Sequence, residues 1–150
     1  KNVLQSKTKL TEKNVTKFID GMGPCMELVG YKKKKKGVSC LGDLMSDFGC
    51  NVKFIIGKKQ KFKKLKINNL PTVLFNKKSG QTVSGNTKAV YDSPIKSLVW
   101  LLNKAKKDKV ILNKNFYVFT GSTVGVVPIK KKGTYEGNIE KLGSVRAIIT

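Results

Sequence analysis

Pro94-Ile95-Lys96-Ser97-Leu98-Val99-Trp100-Leu101-Leu102-Asn103-Lys104 is the stretch that decides the fold of this 150-residue chain. Ser93 is placed to cap a helix, its hydroxyl accepting from amides of the first turn, and Pro94 fits the first position, where no N–H is needed. Ile95, Leu98, Val99 and Leu102 share one face and predict a buried stripe. Lys104, Lys106, Lys107 and Lys109 gather at the far end, where the helix dipole favours cations. Downstream, Phe116-Tyr117-Val118-Phe119 reads as an apolar strand. Thr120-Gly121-Ser122-Thr123-Val124-Gly125-Val126-Val127-Pro128 reads as a glycine-rich turn, and strands are expected from there to the end. Helix, strand, Gly/Ser turn and closing strands in that order look like a substrate cradle.

Upstream, Pro71–Asn76 and Gln81–Ser84 flank Lys77-Lys78-Ser79-Gly80, a hairpin with glycine where positive φ is wanted. Thr11 is placed to cap a helix carrying Val15, Phe18, Ile19 and Met22 on one face. Cys25-Met26-Glu27-Leu28-Val29 reads as a short strand in which Glu27 either faces solvent or lines a polar site. Leu41, Leu44, Met45 and Phe48 predict an amphipathic helix packed as core. Val52–Ile56 is a further strand, ended by Gly57. Residues 1–10 are basic and polar and read as an arm or a strand. The chain opens on Lys1-Asn2-Val3 without methionine, which points to processing or an upstream segment, and nothing there reads as an intact targeting peptide. No repeat or linker divides it, and a single domain over 1–150 is expected.

The charge is extreme: 31 Lys and Arg against 9 Asp and Glu, a net +22. Such a surplus repels itself unless an anion is near, and nucleic acid is the commonest polyanion. Arg146 is the sole arginine, and lysine neutralises phosphate without the bidentate fork that reads bases. Drift toward lysine codons in an AT-rich genome is a rival cause. The expected nucleic-acid contacts are Lys32, Lys33, Lys34, Lys35 and Lys36 in one loop, and Lys58, Lys59, Lys61, Lys63 and Lys64 in a second. Lys130, Lys131 and Lys132 form a third group. With no histidine, His-based triads and His metal ligation are excluded. Three cysteines, Cys25, Cys40 and Cys50, give neither a disulfide framework nor a zinc knuckle and point to a reducing compartment. No apolar run reaches the roughly 20 residues of a membrane-spanning helix.

The helix at Pro94–Lys104, the turn at Thr120–Pro128 and the terminal Lys141-Leu142-Gly143-Ser144-Val145 resemble the fumarylacetoacetate hydrolase superfamily. The likeness is to its 2-oxopent-4-enoate hydratase and oxalocrotonate decarboxylase branch, which carries V-A-W-L-A-N-K, T-G-S-L-T-x-A-V-P-V and G-L-G-S-V there. A fainter match sets the branch's P-A-L-E-V-I-D-S-R on Pro24–Lys32. The resemblance implies an α+β, β-rich fold with mixed sheets forming a roll and a few flanking helices. It also implies a site in which carboxylates hold Mg²⁺ or Mn²⁺, the metal chelating a 2-oxo acid and stabilising its enolate. Glu27 falls on one ligand of that family. Asp47, Gly121, Ser122 and Thr123 complete the expected remnant of the pocket, whose turn amides and hydroxyls would hold a carboxylate.

The chain departs from the pattern where the chemistry is concentrated. The E-x-E strand and the Gly-Tyr-Lys segment with the general base are not found. An aspartate becomes Gly30, an asparagine becomes Phe48, a small pair becomes Val52-Lys53, and Thr87, Lys88 and Val124 replace other site-lining residues. The resulting expectation is a pseudoenzyme with no catalytic residue and no cofactor. In that expectation the chain serves as a lysine-rich structural subunit of a ribonucleoprotein in the mitochondrial matrix, an organellar (mitochondrial) ribosome. Its partners would be rRNA and neighbouring proteins. The alternatives are a Mg- or Mn-dependent 2-oxo acid hydratase or decarboxylase completed by another chain, and an accessory subunit of a large protein or membrane complex.

Overall fold

A computed structural model describes residues 3–32, 38–62, 67–112 and 114–150. The frame is a four-stranded antiparallel sheet ordered β6-β5-β7-β8, from β5 (Pro71–Asn76), β6 (Thr82–Asn86), β7 (Gly133–Ile139) and β8 (Gly143–Ile149). β5 and β6 form the expected hairpin. The Asn76 side chain shapes its turn, accepting from the Lys78 and Ser79 amides, and Gly80 takes φ +70. Because strand side chains alternate, Thr72, Leu74, Tyr135, Gly137 and Val145 share the inner face, while Phe75, Glu136 and Arg146 share the outer one.

A second antiparallel pair lies over the inner face: β2 (Cys25–Val29) with β3 (Asn51–Ile56). Met26 reaches Gly137, where an added Cβ would stand 3.5 Å from its methyl. A two-residue pair, β1 (Gly21–Met22) with β4 (Gln60–Lys61), completes the strands. The ladder of β2 and β3 slips between Leu28 and Val29, so Lys53 faces Leu28, Asn51 faces Val29, and Val52 is bulged out.

Helix α3 (Pro94–Lys107) is built as its sequence predicts: Ser93 Oγ accepts from the Ile95 and Lys96 amides and Pro94 opens the helix. Its buried Leu102 packs with Val3, Leu10 and Val15, and Ile95 bridges to a second cluster of Ile67, Leu70 and Leu142. Thr11 caps α1 (Glu12–Val15) in a capping box with Asn14. No described helix is long and apolar enough to cross a membrane.

The structure corrects four expectations. Residues 3–10 are not an arm: Val3 and Leu10 are buried in the core, and the Asn103 side chain bonds both the N–H and the C=O of Leu10. The helix begun at Thr11 stops at Val15, passes through a 3-10 turn at Thr16–Phe18 and gives way to β1, because Gly21 lies against the Gln60 carbonyl with no room for a Cβ. Helix α2 (Leu41–Ser46) forms, but Leu41, Met45 and Phe48, the last 84% exposed, face solvent because no described element packs on them. Finally, the described residues between α3 and β7 form no strand, although Phe116–Phe119 has strand-forming side chains.

Candidate active site

A cavity of about 1280 Å³ opens between the inner face of the large sheet, the β2–β3 ribbon, α3 and the irregular stretch before β7. Glu27, Gly121, Ser122 and Thr123 all line it. Glu27 sits opposite Phe54 in the ladder and therefore on the same face of the ribbon, and Phe54 stacks on Phe119 at 3.8 Å between ring centroids and 13° between planes. The Asn51 amide donates to Glu27 Oε1 at 2.7 Å. The bulge makes this contact possible: dropping Val52 from the ladder turns Asn51 onto the face that carries Glu27.

Four hydrogen bonds fix the Thr120–Gly125 turn. Ser97, inside α3, donates from its hydroxyl to the Thr120 carbonyl at 2.6 Å, and the Asn86 amide donates to the Thr123 carbonyl at 3.1 Å. The Ser122 hydroxyl is used within the turn, donating to the Gly125 carbonyl at 3.0 Å and accepting from the Val124 amide. Gly121 has φ +136 and Gly125 φ +73, conformations in which a Cβ would be strained. Among the described residues the amides of Ser122 and Thr123 have no hydrogen-bond partner, so two N–H groups and the Thr123 hydroxyl remain for an anion. Thr72 is a further polar group on the floor: it lines the cavity and is buried, and its hydroxyl has no partner among the described residues. Neither Asn51 nor Thr72 stood out in the sequence. A bulge and an orphaned hydroxyl have no local sequence signal.

Asp47, expected in the same pocket, is outside it. It is buried and tied to Lys32, whose ammonium lies 3.7 Å from its carboxylate and 3.0 Å from its carbonyl. No group of three or more His, Cys, Asp or Glu side chains converges as a metal site among the described residues. Glu27 alone does not fit a hard divalent cation, which takes six or more oxygens. Near the cavity wall Lys59 pairs with Asp20 at 2.6 Å, and this hydrogen bond, then the ammonium's charge, holds the Asp20 carboxyl below its usual value. Cys25, beside Glu27 in sequence, has its thiol pushed up first by desolvation and then by that carboxylate.

The described lysines of the three groups sit in separate stretches of the chain. Lys32 is tied to Asp47, Lys59 to Asp20, and Lys61 belongs to β4. Lys58 abuts the first β-pair, its carbonyl closing the space beside Gly23. Lys130, Lys131 and Lys132 precede β7, where the Lys131 carbonyl accepts from Asn76 and from the Tyr135 hydroxyl. Lys33, Lys34, Lys35, Lys36, Lys63 and Lys64 lie outside the described residues.

No family profile matches the chain. It is 35% identical over 72 residues to a 2-keto-4-pentenoate hydratase of Burkholderia vietnamiensis, a match covering 47% of this chain and 28% of that protein. It is 36% identical over 63 residues to a protein of the same name from Paraburkholderia phymatum, covering 42% and 24%. Its fold matches that of 4-oxalocrotonate decarboxylase from Pseudomonas putida G7, solved with calcium and acetate (TM-score 0.76) and with magnesium and adipate (TM-score 0.79). Each of those matches has 20% identity and covers 93% of this chain and 52% of the other. The chain therefore spans about half the length of these solved structures, and its matches span about a quarter of each curated relative. These kinships overturn the ribonucleoprotein role expected from charge: the proteins it matches are a hydratase and a decarboxylase, not ribosomal subunits. The sequence matches to two 2-keto-4-pentenoate hydratases and the fold match to a 4-oxalocrotonate decarboxylase support the resemblance to the hydratase and decarboxylase branch of the fumarylacetoacetate hydrolase superfamily.

Proposed function

We propose that these 150 residues supply one half of a 2-oxo acid hydratase or decarboxylase site, the rest of which lies outside them. The observation that carries this reading is the shared cavity: Glu27 and the free amides of the Ser122-Thr123 turn line one space. Relatives named 2-keto-4-pentenoate hydratase, and a fold like that of a decarboxylase complexed with magnesium and adipate, support it.

In this reading the turn receives the substrate carboxylate on the Ser122 and Thr123 amides, which need no reorganisation because Ser97 and Asn86 already hold the turn in place. Glu27, oriented by Asn51, would be one carboxylate ligand for Mg²⁺ or Mn²⁺, and the remaining ligands and the general base would have to come from outside these 150 residues. When bound, such a cation would act as a Lewis acid on the 2-oxo group. Phe54 and Phe119 form an apolar wall that keeps water from the reacting carbons.

The test is loss of the dienol absorbance of 2-keto-4-pentenoate, with and without Mg²⁺ or Mn²⁺. The complete assembly turns over, the isolated 150-residue chain does not, and Glu27→Gln lowers the assembly's kcat/KM by about 100-fold or more. Turnover by the isolated chain would show that the site is not divided. An assembly that binds metal and leaves 2-oxo acids untouched would sink the functional reading.

A further inference from the structure

The cavity carries a lysine that is already occupied. Among the described residues of its lining, Lys59 and Lys114 are the cations and Asp20 and Glu27 the anions. The Lys59 stem crosses β1 at Gly21, where an added Cβ would stand 2.7 Å from its Cγ and 2.8 Å from its Cδ. That glycine lets the ammonium reach Asp20, the residue before β1, and donate to Oδ2 at 2.6 Å. Asp20 is fixed in turn, because the Phe62 amide donates to its carbonyl at 3.4 Å beside the β1–β4 pair. The Asp20 carboxylate holds the Lys59 ammonium above its usual pKa, first through the hydrogen bond and then through its charge. Desolvation opposes this, and Tyr117 adds to the rise. Tyr117 belongs to the stretch that leads into the Ser122-Thr123 turn, and the ion pair and the turn border the same space.

A second carboxylate on a substrate needs a cation of its own. With its first carboxylate on the turn amides, a dicarboxylate that reaches Lys59 meets Asp20 beside the ammonium, and this repulsion offsets the attraction of the lysine. The net +22 of the chain does not restore it, because at about 0.15 M salt charges more than roughly 8 Å away are largely screened. Much of the remaining lining is apolar, with Met26, Phe54, Leu74 and Phe119 among it. We propose that Asp20, by occupying Lys59, makes this cavity select a 2-oxo acid with one carboxylate and an uncharged tail over a 2-oxo dicarboxylate. Asp20 acts through Lys59 and is not itself a catalytic residue. The proposal rests on the 2-oxo acid reading of the site and adds the class of acid, and binding and turnover are read separately.

The test is isothermal titration of the native protein, with Mg²⁺ present and at about 0.15 M salt. The probes are 2-oxohexanoate and 2-oxoadipate, which share a carbon chain and differ in the second carboxylate. 2-Oxohexanoate is expected to bind about 10-fold tighter or more. Asp20→Asn frees Lys59 and tightens 2-oxoadipate about 10-fold, while 2-oxohexanoate stays within about twofold. Asp20→Glu keeps the carboxylate and the original preference, and adding Lys59→Gln to Asp20→Asn cancels the gain. Lys114→Gln leaves the ratio of the two affinities unchanged. Because an exposed ion pair adds little to stability, the unfolding midpoint of each variant stays that of the unsubstituted protein. Tighter binding of 2-oxoadipate by the unsubstituted protein overturns the proposal, as does an Asp20→Asn effect equal on both acids. A preference that follows Lys114, or no binding of either acid, overturns it too. Selective binding without turnover of any 2-oxo acid keeps the role of Asp20 and removes the functional reading. Turnover that favours the dicarboxylate does the reverse.

Discussion

Gly85 shows how closely the turn is held. A Cβ at this position would collide with the carbonyl oxygen of Thr123 and stand 2.9 Å from the Val124 side chain. Gly85→Ala must push the turn off β6, and the cost of such overpacking is about 1–3 kcal/mol, read as a lower denaturant midpoint. The same change displaces the Ser122 and Thr123 amides, so anion affinity falls with stability. Thr72 is the opposite case. Its buried hydroxyl has no described partner, so Thr72→Val keeps the shape and removes an unsatisfied group. The isolated chain is expected to be unchanged or up to about 1 kcal/mol more stable in urea. A loss of more than that would mean that the hydroxyl is already satisfied in the folded chain.

At the scale of elements, α3 was the most legible because cap, proline and stripe all agree on one structure. Ser93 is also more than a cap: its hydroxyl donates to Asn68 Oδ1 at 2.8 Å, joining the helix start to the turn before β5. Ser93→Ala therefore costs about 0.5–2 kcal/mol as a lost cap, and Ser93→Thr, which keeps both the acceptor and the donor, restores most of it in thermal melts. The exposed stripe of α2 and the unpaired Phe116–Phe119 were illegible for a common reason. Periodicity and propensity report which face wants burial; they do not report whether a partner is in the same 150 residues. The site divides in the same way. Glu27 and the Gly-Ser turn could be read because side-chain type and glycine spacing carry them, whereas Asn51 enters only through a bulge and Asp47 leaves only through its bond to Lys32.

For the molecule as a whole, the acidic groups are few enough that single carboxylates matter. Glu136 accepts from Arg146 Nε at 2.6 Å and lies 3.4 Å from Lys77 on the outer face of the sheet. The Arg146 hydrogen bond holds its carboxyl below the ordinary 4.5; desolvation opposes this, and Lys77 lowers it further. A depressed folded value means that the contribution is present above the unfolded value and lost as pH falls through the folded one. Stability measured by urea unfolding should therefore decline below about pH 4.5, and Glu136→Gln should flatten that decline. If the two curves kept the same slope, the cluster would not be coupled to folding. The charge that first suggested a polyanion is, in this arrangement, partly committed to internal pairs.

The two hydrogen bonds between Asn103 and Leu10 join residues 93 apart in sequence, and β5 finds its second neighbour, β7, only after α3 and the irregular stretch have been made. Little of the core can therefore close during synthesis until the last third of the chain has left the ribosome. Contacts this distant in sequence slow folding, because loop closure must precede the burial that rewards it. A nascent chain of high positive charge, its early apolar residues still waiting for the last third, thus spends its early life unprotected. The order of synthesis leaves the early apolar segments open to misassociation for as long as their late partners in the chain are unmade.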